Sequence, residues 1–270
     1  MNTNDLDAAI SVNTGIEIAG LWDRFEIFEA LHHTMTIDNP MTSTDLDEVV
    51  SLLAPTDGEA ALDLACGHGE LLRRLRASAE ISGRGVDLSP WMLSSAHRLS
   101  VESAPDLQWV LDDAKDHGIK QESIDQSSNV ETFDLTTCLG ASWVWHGFAS
   151  TVRALAQRTK KGGRIAIGDM VLRDGIDAGT LTQSHGAIES IEELETSFDT
   201  HGLSILGRVR TADDAWDDYL KRTKTSATAW AQLHPGERSD SYVAEQQQWE
   251  HDHARDREIL TWSVWVAEKR

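Results

Sequence analysis

The stretch ALDLACGHGE, residues 61–70, decides the fold. Its first half is an apolar run interrupted by one acid, Asp63, and reads as a buried strand. Its second half leaves that strand through Ala65, Cys66, Gly67, His68 and Gly69, a turn whose glycines let backbone approach a ligand. A dinucleotide site would continue as G-x-G-x-x-G, with an acid ~20 residues further on for a ribose. Leu72 stands where the third glycine would be, so the turn alone names no ligand. Further acids close the next apolar runs: Asp87 in GRGVDLS, then Asp112 and Asp113 in the DDA that ends at Ala114.

On both sides of this stretch, short apolar runs alternate with helical patterns, which favours parallel strands joined by crossover helices. Strands are expected at 61–65, 84–87, 107–111, 133–138 and 164–168, and helices near 70–78, 90–101 and 148–159. A helix around 188–201, a strand near 203–209 and a final strand in ILTWSVWVAEK extend the series. Upstream, Ile18, Leu21, Trp22, Phe25, Phe28 and Leu31 recur every three or four residues within 14–33, one face of a helix. Pro40 breaks that pattern, and a second helix through DLDEVVSLL starts at a Ser43/Thr44 cap. Residues 212–258 are polar and helical, with a break at Pro235 and Gly236. Residues 115–132 carry no periodicity and read as a loop or a frayed helix. The expected organisation is an N-terminal helical lid (1–55), an α/β core (56–211 and 259–270) and a helical insertion (212–258), together one structural domain.

A formal charge of −21 over 270 residues disfavours nucleic acid and anionic membrane as partners. LLRRLRAS and RTKKGGR read as solvated helix faces and ends. No apolar run approaches the ~20 residues of a membrane span, and the N-terminus shows no leader pattern, so a cytoplasmic location is expected. Two cysteines, Cys66 and Cys138, form neither a disulfide framework nor a zinc motif, and both read as reduced thiols. His251 and His253 fall on opposite sides of a helix, so no metal is expected. Ten tryptophans against two tyrosines are unusual; most read as core or lid packing.

The ordered series D-x-x-C-G-x-G, V-D-L-S, D-D-A, FDLTTCLGAS and KKGGRIAIGD resembles that of class I S-adenosylmethionine-dependent methyltransferases, over about residues 57–172. HHTMTIDNP, CLGASW and AWDDYLKRTKTSATAW resemble segments of bacterial stand-alone methyltransferases of unassigned small-molecule substrate. The resemblance implies an α/β, Rossmann-like sheet of seven mostly parallel strands with helices on both faces. It implies S-adenosylmethionine as cofactor, with Asp63, Gly67 and Gly69 of the Ala65-Cys66-Gly67 turn holding its amino-acid part. Asp87 would accept the ribose hydroxyls, Leu88 and Met92 would flank the adenine, and Asp113, in the Asp112–Ala114 segment, would accept the adenine amino group. Leu139 would line the methionine moiety. Ala65 departs from the glycine many members carry there.

Methyl transfer from a sulfonium is an in-line displacement, so positioning and exclusion of water matter most, with a base needed only for a protic nucleophile. Candidates are Trp143 and His146 after the fourth strand, Asp169 at the end of the fifth, and His33 in the N-terminal segment. His146 reads equally as an exposed helix-start residue, and only one of His32 and His33 can face a pocket. The acceptor is expected to be a small molecule with a nitrogen, oxygen or sulfur nucleophile. DNA amino methylation would want a D/N-P-P-aromatic run and cytosine C5 methylation a Pro-Cys pair; neither occurs. Two rivals stand: an NAD-dependent oxidoreductase, weakened by Leu72, and a non-catalytic cofactor-binding protein acting through its Trp-rich tail. Oligomeric state stays open.

Overall fold

A computed structural model describes residues 6–120, 129–176 and 188–270. The chain opens with β1 (Ser11–Val12), α1 (Ala19–His32) and α2 (Ser43–Leu53). The α/β alternation follows as β2 (Ala60–Leu64), α3 (Glu70–Ser78), β3 (Ser82–Asp87), α4 (Pro90–Ser100) and β4 (Gln108–Leu111). Next come β5 (Ile119–Lys120), β6 (Asn129–Val130), β7 (Phe133–Leu139), a 3₁₀ turn (Ser142–Trp145), α5 (Phe148–Arg158) and β8 (Thr159–Leu172). The last part holds α6 (Ile191–Thr200), β9 (Leu203–Arg210), α7 (Asp213–Leu233), α8 (Glu237–Asp256) and β10 (Leu260–Lys269). No helix among the described residues is long and apolar enough to cross a membrane.

The main sheet has the order β1-β4-β3-β2-β7-β8-β10-β9. Its pairs are parallel from β1 through β8, and β10 runs antiparallel to both β8 and β9. Among the described residues the sheet has eight strands in place of the seven expected. The extra one is β1, whose two residues pair with Val110 and Leu111 at the edge and are too few to leave an alternating pattern. β8 reaches well beyond 164–168 because β10 pairs with it as far as Leu172. The stretch 115–132 contains the short antiparallel pair β5·β6 rather than a bare loop; residues 121–128 lie outside the described residues. α1 begins at Ala19 instead of near Thr14, with no side chain capping its first turn. α2 is capped one residue earlier than expected: Thr42 Oγ1 accepts from Asp45 N (3.1 Å) and Asp45 Oδ2 accepts from Thr42 N (2.8 Å), a capping box.

Both faces of the sheet are covered, as a parallel sheet requires. Along β10 the side chains alternate, Trp262, Val264 and Val266 entering one cluster with Leu72, Leu75 and Trp109, and Trp265 and Ala267 the other with Leu155 and Ile167. Trp109 decides how closely α3 approaches. A Cβ on Gly69 would lie 2.2 Å from its Cη2, and one on Gly85 2.5 Å from its Cζ3. Gly83, on the same face of β3, leaves room for Leu72; a Cβ there would meet Leu72 Cγ at 3.1 Å. The helix-to-sheet clearance that a third loop glycine gives a dinucleotide fold is supplied here from the strand, through the Gly83/Gly85 pair of SGRGVD.

Gly85→Ala should therefore overpack the Trp109 site and lower stability by ~1–3 kcal/mol, read as an earlier denaturation midpoint. An unchanged midpoint would mean that Trp109 can move aside.

Candidate active site

At β2 the connections diverge, with β3 and β4 on one side and β7 and β8 on the other. Such a switch point opens a crevice beyond the carboxyl ends of the strands. The turn after β2 fills it: Ala65, Gly67 and Gly69 all take positive φ (55°, 52° and 70°). Ala65 holds a left-handed conformation that costs a non-glycine residue ~1–2 kcal/mol. The turn is fastened by Cys66 N donating to Val86 O (3.1 Å), Gly69 N to Cys66 O (2.8 Å) and Gly67 N to Asp87 Oδ2 (3.0 Å). Asp87 Oδ1 accepts from Ser89 N (2.8 Å), and Ser89 caps α4 through Met92 N (3.2 Å).

A cavity of about 780 Å³ lies over this turn, within the size range of small-molecule sites. One end is lined by Asp87, Leu88, Met92, Asp113 and Ala114, the middle by Asp38, Ala65, Gly67 and Leu139. The far end is aromatic: Phe25 and Phe28 from α1, Trp216 and Tyr219 from α7, Trp249 from α8 and Trp262 from β10. Trp143, 58% exposed, stands at its rim with His146, the left-handed residue closing the 3₁₀ turn. Asp169 also lines the cavity; its carboxylate accepts from Ser142 N (2.9 Å) and Met170 N (2.7 Å), and burial pushes its pKa up.

Five residues singled out by sequence lie off this cavity. Asp63 is buried beneath the turn and lines a smaller adjoining cavity of about 60 Å³ with Cys66, Asp38 and Gly67. Thr137 Oγ1 donates to Asp63 Oδ1 (2.6 Å), yet burial raises this carboxyl to a pKa of about 7. The Cys66 thiol is likewise held protonated by burial. Gly69 serves Trp109. Asp112 turns inward to its own chain, 2.7 Å from His117 Nδ1. His33 is displaced by its neighbour: it points along α1 to Glu29 Oε1 (3.2 Å), while His32 lines the cavity. Successive helical residues point ~100° apart, so the two cannot share a face.

Sequence reasoning passed over His68. Its ring, 2% exposed, sits between two carboxylates: Nε2 is 3.3 Å from Glu29 Oε2, and Nδ1 is 2.9 Å from Asp38 Oδ1, off the line of a hydrogen bond and so an ion pair. The His68 backbone N also donates to Asp38 Oδ2 (3.0 Å). Burial opposes its charge, but the two acids win and raise its pKa to about 10, while Glu29 and Asp38 are drawn below their ordinary range despite burial. The cofactor-type turn is thereby clamped to the N-terminal segment. His32, left undecided against His33 by sequence, is joined to Tyr219, which was missed, by a 3.0 Å hydrogen bond between His32 Nε2 and the phenol oxygen; Asp38, next to Gly67, was missed as well. Two sequence signals were present: Phe25, Phe28 and His32, or Trp216 and Tyr219, repeat like any buried helical stripe, and HHTMTIDNP and AWDDYLKRTKTSATAW carry the resemblance without giving these residues a role.

Residues 61–163 match the family model described as a methyltransferase domain. The Escherichia coli (strain K12) protein YjhP is 27% identical over 226 residues, 82% of this chain and 86% of that protein. An S-adenosylmethionine-dependent methyltransferase from Geobacter sulfurreducens, solved with S-adenosylhomocysteine, superposes with a TM-score of 0.77 at 25% identity, over 91% of this chain and 98% of that one. One from Thiobacillus denitrificans, also solved with S-adenosylhomocysteine, gives 0.75 at 26% identity, over 90% and 98%.

The clamp makes stability depend on pH with a defined sign. Unfolded, His68 releases its proton near its ordinary 6.5; folded, it keeps it until about 10. Its contribution is complete below pH 6.5 and is lost as pH rises to about 10. The denaturation midpoint of the wild type should fall between pH 7.5 and 10 more steeply than that of His68→Gln. Equal slopes would show that the clamp carries no charge.

Proposed function

Because the chain is a class I S-adenosylmethionine-dependent methyltransferase, what it methylates becomes the question, and we propose that the acceptor is a small molecule with a nitrogen, oxygen or sulfur nucleophile, encountered in the cytoplasm. The observation that carries this reading is the continuity of the cavity from the glycine turn to the aromatic end. It gives a nucleoside cofactor and a second small molecule adjoining berths. The net charge of −21 argues against a nucleic-acid acceptor.

The residues fit the cofactor. A carboxylate offers about four lone-pair positions; Asp87 uses one oxygen for Gly67 N and the other for Ser89 N, which leaves each free to accept a ribose hydroxyl. Asp113 Oδ1 accepts from Lys115 N, leaving Oδ2 for the adenine amino group, with Leu88 and Met92 against the ring. The methionine end falls among Asp38, Asp63 and Asp87, carboxyl groups suited to an α-ammonium. The cofactor supplies a methyl group on a cationic sulfonium. The protein aligns the nucleophile with the S–CH₃ bond and excludes water with the helices α1, α7 and α8, which act as a lid.

Calorimetric titration with S-adenosylhomocysteine, S-adenosylmethionine and NAD tests the cofactor site. The first two should bind and NAD should not; Asp87→Ala should weaken S-adenosylhomocysteine ~10–100-fold, the loss of hydrogen bonds to a charged group. NAD binding, or an unaffected variant, would sink this assignment. Asp63 adds a proton linkage: with a pKa of about 7 it is largely protonated at pH 6, and a nearby α-ammonium favours its anion. S-adenosylhomocysteine binding at pH 6 should therefore release a proton and tighten as pH rises through 7. Buffers of different ionisation enthalpy measure that release, which Asp63→Asn should abolish.

A further inference from the structure

We propose that Tyr219 and His32 are the proton-accepting pair for a protic methyl acceptor, an amine or a hydroxyl compound, the phenol taking the acceptor's proton as its own passes to His32 Nε2. The inference rests on the methyl-transfer reading and narrows it, since a tertiary amine or a thioether has no proton to give up.

The direction of the pair follows from one carbonyl. His32 Nδ1 lies 2.7 Å from Phe28 O, which can only accept, so Nδ1 carries the ring proton. In the neutral ring Nε2 then holds a lone pair, and the contact of 3.0 Å to Tyr219 is a phenol donating to imidazole. Both side chains are buried and both line the cavity, His32 from α1 and Tyr219 from α7. The position is the methionine end rather than the adenine end. Asp38, whose Oδ2 would be 2.6 Å from a Cβ on Gly67, acts electrostatically on both His32 and Tyr219.

The surroundings suit a base that is neutral before transfer and charged after it. Burial is the largest influence on His32 and lowers its pKa, helped by the charge of His68 from the glycine turn. Asp38 from the following loop and Glu29 from its own helix oppose this and would favour the imidazolium once formed. Tyr219 faces Asp38 and, on its own helix, Arg222, whose guanidinium carbon is 5.9 Å from the ring centre. Burial drives the phenol far above its ordinary pKa, so no free phenolate is made. The two proton movements are therefore concerted. The S–CH₃ bond breaks as the bond from carbon to the nucleophile forms, the sulfur keeping the electron pair. The N–H or O–H proton moves to Tyr219 oxygen, the phenol proton moves to His32 Nε2, and the imidazolium later returns a proton to solvent. Among the other groups at the cavity, His253 pairs with Asp217 (3.1 Å) and stacks on Trp216, and each oxygen of Asp169 already accepts one backbone N–H.

The test uses methyl-labelled S-adenosylmethionine with a panel of primary and secondary amines, phenols and alcohols, beside tertiary amines and thioethers. It compares the wild type, Tyr219→Phe and His32→Gln, with S-adenosylhomocysteine affinity as the control for folding. Label should pass to a protic member. Both variants should then lose ~100-fold or more in kcat, the scale of general-base assistance, with S-adenosylhomocysteine affinity kept within threefold. The acid limb of the wild-type pH profile, below 6.5 because the His32 pKa is lowered, should vanish in His32→Gln. Independently of turnover, the ¹⁵N resonances of His32 in the S-adenosylhomocysteine complex at pH 7 should show a neutral ring protonated at Nδ1. Variants that retain wild-type kcat, label found only on tertiary amines or thioethers, or an imidazolium at pH 7 would each overturn the pair while leaving methyl transfer intact. Label on no acceptor of the panel would count against the methyl-transfer reading itself, and the pair would fall with it.

Discussion

Three charges packed together, the buried Glu29 and His68 and the half-buried Asp38, hold the rest of the site in register. Taking an ion pair out of water is costly, and an apolar contact of equal size would often be as stable. What the arrangement supplies is geometry. An imidazolium paired with carboxylates from two different segments, hydrogen-bonded to Glu29 and ion-paired with Asp38, ties α1 and the loop after it to the glycine turn. Asp38 makes the dependence tight, because the carboxylate that pairs with the His68 ring also accepts its backbone N–H. Packing against α4, α7 and α8 also holds α1; the clamp adds its direct tie to the turn.

The sheet was readable because its constraints are local and periodic. Strands β2, β3, β4 and β7 fall within a residue or two of their expected bounds, and Asp87, Leu88, Asp113 and Leu139 at or beyond their carboxyl ends line the cavity with Met92 of α4. The elements misread lacked such a pattern. β1 is two residues long, and the β5·β6 pair lies in a polar stretch without alternation. The choice between His32 and His33 depended on the rotation of α1, which packs against α4, α7 and α8, elements distant in sequence.

The aromatic end of the cavity was less legible still. Trp216, Tyr219 and Trp249 carry the spacing of a buried helical stripe, and a stripe facing a cavity differs from one facing a core only in what stands opposite. What stands opposite here comes from positions nearly two hundred residues away, as the His32–Tyr219 hydrogen bond shows. His68 was hidden for a different reason: within C-G-H-G it looks like a spacer between two functional glycines, and neither Glu29 nor Asp38 upstream marks itself as its partner.

The helical hairpin α7–α8 is entered from β9 and left into β10, two strands that pair directly with each other. Both of its ends are therefore pinned at one place in the sheet, while its inner faces supply much of the wall away from the glycine turn. A segment joined in this way can be lengthened, shortened or exchanged without disturbing strand order or the turn that follows β2. In evolutionary terms it is a cassette: acceptor range can drift through one contiguous piece of sequence while the half of the cavity built by the strand ends stays constant. The N-terminal segment, tied to that constant half through buried charge, has no such freedom.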